Sequence, residues 1–227
     1  MPHETAELSL KAQNTRQQIL DTAMTLFLEK GYEATTMREV AKACDCSLGL
    51  TYRYFSGKEQ LLLEFYWRMA ADTGAQIAQL SVTPIADQFY LLMTSRLAQT
   101  IQYRELFRVI FGVAMNPNSG VNILSTNAAG MREDVAKHFR ELVEKASDVP
   151  PRGQAEDVAM VLYALHFAVL LFWLYDRSPQ QQTTADLLAF IRDLLQFGRR
   201  ALSLPFTHNL LSRAASISQS FLGNTPS

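Results

Sequence analysis

The polar side chains best suited to binding a polyanion lie close together between Thr35 and Lys58. Thr36 stands at a predicted helix N-terminus, where its hydroxyl and the free backbone amides can bind a phosphate. Arg38, in the first turn of that helix, can reach either a phosphate or the edge of a guanine. These residue types at this spacing predict contacts to the backbone and bases of DNA.

A second predicted helix carries the side chains that would meet the bases. Ser47 suits the N-cap of this helix, which runs to about Tyr54. Leu48 and Leu50 can pack on thymine methyl groups, and Gly49 between them permits a close backbone approach. The sequence therefore predicts that residues 47–50 lead a helix that reads DNA.

Local signals place this helix in a three-helix unit. A helix is predicted from Asn14 to Lys30, ended by Gly31. Thr36 and Glu39 form a capping-box pattern that opens a second helix to about Ala43. Asp45 lies in the following turn, where aspartate tolerates an unusual backbone conformation. Three helices with a turn of about four residues between the last two form a helix-turn-helix unit.

Three consecutive segments, GYEATTMREVAKA, CSLGLTYRYF and SGKEQLL, resemble the TetR family of bacterial transcriptional regulators in order and spacing. The resemblance covers roughly residues 14–65. It implies that the second helix of the motif enters the major groove while the first crosses the backbone. It also implies that Tyr52 and Tyr54 form a phosphate-binding pair and that Lys58 contacts the DNA backbone, with Arg53 a further phosphate contact. The predicted DNA-binding residues are Thr36, Arg38, Ser47, Leu48, Gly49, Leu50, Tyr52, Arg53, Tyr54 and Lys58.

Two residues depart from the family pattern, and the bulk charge gives no support. Thr51 stands where an apolar core residue is usual, and Asp45 stands where glycine is usual. Residues 1–60 hold seven basic residues against eight acidic ones, and the whole chain has a formal net charge of −1. DNA binding must then depend on placement, and we expect five basic side chains on one side: Arg16, Arg38, Lys42, Arg53 and Lys58.

Cys44 and Cys46 flank the predicted turn, and they are the only cysteines in the chain. A redox or metal switch is one interpretation. Two thiolates do not complete a tetrahedral zinc site, however, and no histidine is near in sequence. We therefore expect both to act as small core residues, with no metal and no cofactor, in a reducing cytoplasm.

The rest of the chain predicts a larger helical body and no strand, so the predicted fold class is all-α. Ser56 and Glu59 form a capping-box pattern around Gly57. This pattern predicts the start of a long helix that leads out of the helix-turn-helix unit. The predicted divisions are a flexible arm at 1–13, a DNA-binding domain at 14–60 with a linker helix from about 56, a ligand-binding and dimerisation domain at 61–204, and a tail at 205–227 with a weak helical pattern.

Val158 to Tyr175 is 18 residues long and carries no formal charge. Its length and composition allow a membrane span. The acidic residues close to it and the lack of a basic flank favour a helix buried on both sides. We expect helices at about 154–176 and 184–202 to form a homodimer interface, which would place two reading helices over a palindromic operator.

Aromatic and methionine side chains at helical spacing in the body suit either an ordinary core or an effector cavity. The residues predicted to line such a cavity are Met93, Tyr103, Phe107, Phe111, Met115, His166 and Leu170. The predicted function is a DNA-binding transcriptional regulator, a repressor released by a small-molecule effector. The alternative is a regulator without such a ligand, controlled by a protein partner. An enzyme is disfavoured because the sequence lacks a phosphate loop, a G-x-S-x-G motif and an H-E-x-x-H motif.

Overall fold

A computed structural model describes residues 10–115, 129–151, 153–201 and 205–222 of the chain. Within these ranges it has ten α-helices and no strand, which confirms the all-α fold class. The helices are α1 (Leu10–Lys30), α2 (Met37–Ala43), α3 (Leu48–Tyr54), α4 (Lys58–Gln79), α5 (Ile85–Thr100), α6 (Arg104–Ala114), α7 (Ala129–Lys145), α8 (Ala155–Tyr175), α9 (Gln182–Ala201) and α10 (Pro205–Leu222).

Helix α1 begins four residues earlier than the sequence predicted. The Thr15 hydroxyl donates to the Lys11 carbonyl at 2.9 Å, a bond within the helix, so Thr15 does not act as an N-terminal cap. The prediction of a flexible arm is therefore wrong for residues 10–13, while residues 1–9 lie outside the described ranges. The predicted C-terminus is confirmed, because Gly31 has a φ of +87° and its amide donates to the Phe27 carbonyl at 3.0 Å.

The predicted caps of α2 and α3 are both present. The Thr36 amide and the Glu39 carboxylate bond at 2.9 Å, and the Glu39 amide returns a bond to the Thr36 hydroxyl at 3.2 Å. The Leu50 amide donates to the Ser47 hydroxyl at 3.1 Å. In the turn between the two helices, Asp45 adopts a φ of +54°, the conformation for which aspartate was expected there.

The start of α4 differs from the prediction in one detail. Gly57 is the N-cap and carries no side-chain bond, so the predicted cap at Ser56 is wrong. The Ser56 amide instead donates to the side chain of Gln60 at 2.5 Å, one residue beyond the predicted partner Glu59. From there α4 extends for 22 residues and packs against α1 at one end and α7 at the other. It thus joins the helix-turn-helix unit to the body.

The body consists of α5 to α10 packed around α8. Pro84, a residue type that favours the start of a helix, precedes Ile85 as the N-cap of α5 with a φ of −55°. The C-terminal segment forms an 18-residue helix, α10, although the sequence showed only a weak pattern there. It packs on α8, where the Ser212 hydroxyl donates to the Asp157 carboxylate at 2.6 Å. The segment Asn116-Pro117-Asn118-Ser119-Gly120, whose composition predicts a loop, lies outside the described residues.

Helix α8 is long and apolar enough to span a membrane by length and composition alone. In this structure it packs against α6, α7, α9 and α10, and ten of its residues, among them Trp173 and Leu162, are buried. This packing is that of the central helix of a bundle, as the sequence favoured.

Candidate nucleic-acid interface

Helix α3 presents one polar face outward and one apolar face to the core. Ser47, Gly49, Tyr52 and Arg53 are exposed, and half of the Tyr52 surface (50%) is accessible. On the opposite face Thr51 is fully buried, and its hydroxyl donates to the Ser47 carbonyl at 3.1 Å. That bond explains why a polar residue is accepted at a core position. The outward face is free to approach a duplex.

Three predicted contact residues on α3 are only partly exposed. Leu48 and Tyr54 are half-buried and pack against the core, and Leu50 is half-buried at the end of the Ser47 cap. Their side chains therefore help to hold α3 in place. Direct contact of these three residues with DNA stays a prediction.

Helix α2 presents two basic side chains beside this face. Arg38 and Lys42 are exposed. The Thr36 hydroxyl donates a hydrogen bond to the Glu39 carboxylate at 3.0 Å. The same carboxylate forms an ion pair with the Lys30 ammonium at 3.0 Å. Hydrogen bonds from Lys30 and Thr36 lower the pKa of Glu39 to about 2, so this carboxylate stays charged at the N-terminus of α2.

Lys58 has a structural role that the sequence analysis missed. Its ammonium donates to the carbonyl of Tyr32 at 2.9 Å and to that of Glu33 at 3.4 Å, and lies 4.4 Å from the centre of the Tyr32 ring. An ammonium has three protons, so one remains for a phosphate. Lys58 thus ties the start of α4 to the loop after α1.

Arg16 does not join the basic side chains at this face. Its guanidinium bonds the Glu64 carboxylate at 2.6 Å and lies 4.9 Å from the centre of the Phe55 ring. A second ion pair, between Arg68 and Asp21 at 2.9 Å, also joins α4 to α1. The expectation that Arg16 would lie with Arg38 is therefore wrong. No sequence signal marked these pairs, whose members are 48 and 47 residues apart.

The two cysteines lie at the turn between α2 and α3. Cys44 is buried, and desolvation raises the pKa of its thiol to about 11, which keeps it protonated. Both thiols donate weakly to backbone carbonyls, Cys44 to Ala41 and Cys46 to Cys44, each at 3.5 Å. Among the residues that the structure describes, no three histidine, cysteine or acidic side chains are grouped to hold a metal. These contacts are those of core cysteines.

The residues predicted to line an effector cavity pack with their neighbours in the body. Met93, Phe107, Phe111, His166 and Leu170 are buried, whereas Tyr103 and Met115 are partly buried. Phe107 and Tyr103 both contact Phe65 of α4, with ring centres 6.0 and 5.1 Å apart. The structure brings these side chains to one region of the body, and their role as a cavity stays a prediction.

The structure also buries Arg96, which the sequence prediction did not include. Arg96 of α5 is 4% exposed and lies between the buried Met93 and Leu97. His166 of α8, which the sequence did predict here, is 2% exposed, and neither of its ring nitrogens has a hydrogen-bond partner within the described ranges. The available signal was an arginine on the apolar stripe of a predicted core helix, where charge is costly.

Comparison with known proteins agrees with this geometry. Residues 19–65 match the family model described as bacterial regulatory proteins, tetR family. The HTH-type transcriptional repressor KstR of Mycolicibacterium smegmatis is 28% identical over 195 residues, which cover 84% of this chain and 92% of KstR. The regulator AcrR of Shigella flexneri is 41% identical over 56 residues, covering 25% of this chain and 26% of AcrR. Residues 19–65 form a TetR-family DNA-binding unit.

Two solved TetR structures share the whole fold. The regulator from Nitrosomonas europaea superposes with a TM-score of 0.60 at 19% identity, covering 81% of this chain and 99% of that protein. FadR of Thermus thermophilus, solved in complex with lauroyl-CoA, gives a TM-score of 0.60 at 23% identity, covering 80% and 93%. This chain is accordingly a DNA-binding transcriptional regulator with a helix-turn-helix at α2 and α3.

Proposed function

We propose that this protein is a dimeric repressor that a small-molecule effector releases from a palindromic operator. The observation that carries the proposal is the way α4 joins the reading helices to the body. Ion pairs at 2.6 and 2.9 Å and the Lys58 bonds fix α1 and its loop to α4. A displacement of α4 would therefore move the whole DNA-binding unit.

The DNA contacts follow from the exposed faces of α2 and α3. Tyr52 and Arg53 would bind phosphates on one side of the major groove, and Arg38 and Lys42 would bind phosphates on the other. The residues at the start of α3, Gly49 and Leu50 among them, would face the base edges. Since the chain carries no basic excess, affinity depends on these few contacts and on a second copy.

The dimer surface is an apolar stripe formed by α8 and α9. On α9, Phe190, Leu194 and Phe197 are 62%, 52% and 70% exposed and recur at helical spacing. On α8 the outward stripe consists of Val161, Leu165, Ala168, Phe172 and Tyr175. Such a patch is unfavourable in water, and a second copy related by a two-fold axis would cover it.

Helix α6 would pass an effector signal from the body to α4. Its ring neighbours on α4 are Phe65 and Tyr66, with Tyr66 and Phe111 centred 6.2 Å apart. Arg104 donates to the Trp173 carbonyl at 2.7 Å and Arg108 to that of Leu174 at 2.7 Å, which fixes α6 to the end of α8. Because α6 contacts both α4 and a dimer helix, its movement would change the distance between the two reading helices.

KstR is a transcriptional repressor by name, and FadR was solved in complex with lauroyl-CoA. Both support the proposal for this chain without specifying its ligand. Selecting duplexes from a random pool and measuring binding by fluorescence polarisation tests the DNA half. We expect a palindrome bound by two copies, with Tyr52→Phe weakening all duplexes alike and Leu50→Ala changing base preference.

The matched control for Tyr52→Phe is Tyr90→Phe, which removes a hydroxyl from a partly exposed tyrosine of α5, away from α3 and from the proposed dimer stripe. Selection of a single, unsymmetrical half-site by a monomer would contradict the proposal. Release is tested by adding a metabolite library to the selected duplex. If no compound releases the DNA while a protein extract does, the protein-partner alternative takes its place.

A further inference from the structure

Arg96 is a buried cation without a counter-ion among the residues that the structure describes. The side chain is 4% exposed, and no hydrogen bond or ion pair joins its guanidinium to another described residue. The acidic group whose charge acts on it is Asp72 of α4, which is itself exposed. Burying an unpaired charge costs several kcal/mol, on the order of the whole stability of many domains.

Further polar atoms without partners come from two other helices. The Thr73 hydroxyl of α4 is fully buried and has no hydrogen-bond partner within the described ranges. Both ring nitrogens of His166 on α8 are likewise buried and have no hydrogen-bond partner within the described ranges. Native proteins rarely leave such atoms unpaired, and clusters of them mark places where a ligand completes the bonding.

The charge of Arg96 acts on groups of the neighbouring helices, and Thr73 follows directly after Asp72, the acidic residue whose charge acts on Arg96. Burial lowers the pKa of His166 well below its ordinary value, and the positive charge of Arg96 acts in the same direction. The same charge acts on Tyr66, whose pKa is raised by burial, and on His138 of α7. Helix α5, which carries Arg96, packs on α4 and α7, and α7 packs on α8, so these buried polar groups belong to one bundle of four helices. At neutral pH the cluster holds one net positive charge.

The walls around this cluster are apolar and aromatic. The rings of Phe139 and His166 are centred 5.2 Å apart, and Phe111 and Phe167 are centred 5.4 Å apart. Met93, one turn before Arg96, is fully buried. A ligand here would need a single charged group and an apolar remainder.

We propose that Arg96, His166 and Thr73 bind the carboxylate of an amphipathic organic acid, and that this acid is the effector. One guanidinium neutralises one carboxylate in bidentate geometry, whereas a phosphate dianion would leave a buried negative charge. The hydroxyl of Thr73 and one N–H of neutral His166 complete the bonds to the carboxylate oxygens. This inference rests on the proposed function, since it names the chemistry of the compound that releases the operator.

The test uses the full chain and two matched pairs of probes. Octanoate and dodecanoate are compared with octan-1-ol and dodecan-1-ol in thermal denaturation. We expect the acids, and not the alcohols, to raise the midpoint by at least about 2 °C at saturating concentration. Arg96→Met should weaken acid binding about 10- to 100-fold, whereas Arg213→Met, a change at an exposed arginine of α10, should leave it unchanged.

The same variants separate a ligand site from a structural arginine. If Arg96 is held for a ligand, Arg96→Met and the isosteric Thr73→Val should raise or preserve the midpoint of the free protein, because each removes an unpaired buried group. A fall of several degrees in both variants would overturn the proposal. So would equal stabilisation by acids and alcohols, or no stabilisation by either acid.

Operator release measured in parallel distinguishes this inference from the proposed function. Release by a neutral compound, unchanged in Arg96→Met, would refute the acid site and leave effector-controlled repression intact. Acid binding that depends on Arg96 but never releases the selected duplex would support the site and refute release as its consequence. Dodecanoyl-CoA is a thioester with no free carboxylate, so if Arg96→Met weakened its binding as much as that of dodecanoate, Arg96 would be assigned to a phosphate and the carboxylate proposal would be overturned.

Discussion

Polar side chains in the helix-turn-helix unit bind their own backbone as well as facing solvent. The Thr51 hydroxyl bonds the Ser47 carbonyl at 3.1 Å, and Lys58 bonds the Tyr32 carbonyl at 2.9 Å. Residues whose types suggest DNA contact can therefore also hold the reading helix in position. A loss of DNA binding on mutation at Lys58 would not by itself identify a phosphate contact.

Replacing Lys58 by alanine should lower stability even without DNA. The change removes two hydrogen bonds and the contact of the ammonium with the Tyr32 ring, about 1–2 kcal/mol in total. For a chain of this size that corresponds to a fall of about 2–8 °C in the thermal midpoint. Lys42→Ala, at an exposed lysine, is the control and should leave the midpoint unchanged. An unaltered midpoint in Lys58→Ala would show that the ammonium is free for DNA.

At the scale of elements, contacts between residues distant in sequence fix the helix-turn-helix unit to α4. The pair of Arg16 and Glu64 is about one-fifth to one-third exposed, while the pair of Arg68 and Asp21 is half-exposed on both sides. The first guanidinium also packs on Phe55, which is fully buried. We therefore expect the first pair to hold α1 on α4 more strongly than the second.

A double-mutant cycle measures this difference. With Arg16→Met and Glu64→Gln, urea denaturation should give a coupling energy of about 0.5–1.5 kcal/mol, because the pair is partly screened from water. The matched cycle with Arg68→Met and Asp21→Asn should give about 0–0.5 kcal/mol, since solvent and salt screen that pair. Equal couplings in the two cycles would mean that burial beside Phe55 contributes nothing to the link.

The sequence was sufficient where the cause of a structure is local. The cap at Ser47, the box of Thr36 with Glu39 and the stop at Gly31 each depend on residues within four positions, and all three are present. The sequence was insufficient to predict ion pairs between residues far apart in the chain, or a buried charge that has no partner. Nothing in the pattern paired Arg16 with Glu64, and an isolated arginine such as Arg96 gives no sign that its burial is uncompensated.

At the scale of the whole molecule, the apolar surface of α8 and α9 is the one proposed to join two copies. Hydrophobicity on all sides of α8 could not show which residues face outward, because every face satisfied the same pattern. The structure shows the outward stripe, with Tyr175 67% exposed at its end and Phe190 and Phe197 beside it on α9. If this surface is the dimer interface, disrupting it should affect DNA binding without touching α3.

Replacing both Phe190 and Phe197 by aspartate should convert the protein to a monomer. Each dimer would lose four buried aromatic side chains, each contributing about 1.5–3 kcal/mol, and would gain like charges across the axis. We expect the dimer dissociation constant to rise at least about a thousandfold, measured by sedimentation equilibrium. Operator affinity should fall with it, while far-UV circular dichroism stays unchanged. Ile217→Asp on α10, an equally exposed apolar position, is the control and should remain dimeric. If the double variant sediments as the wild type does, the two copies associate through another surface.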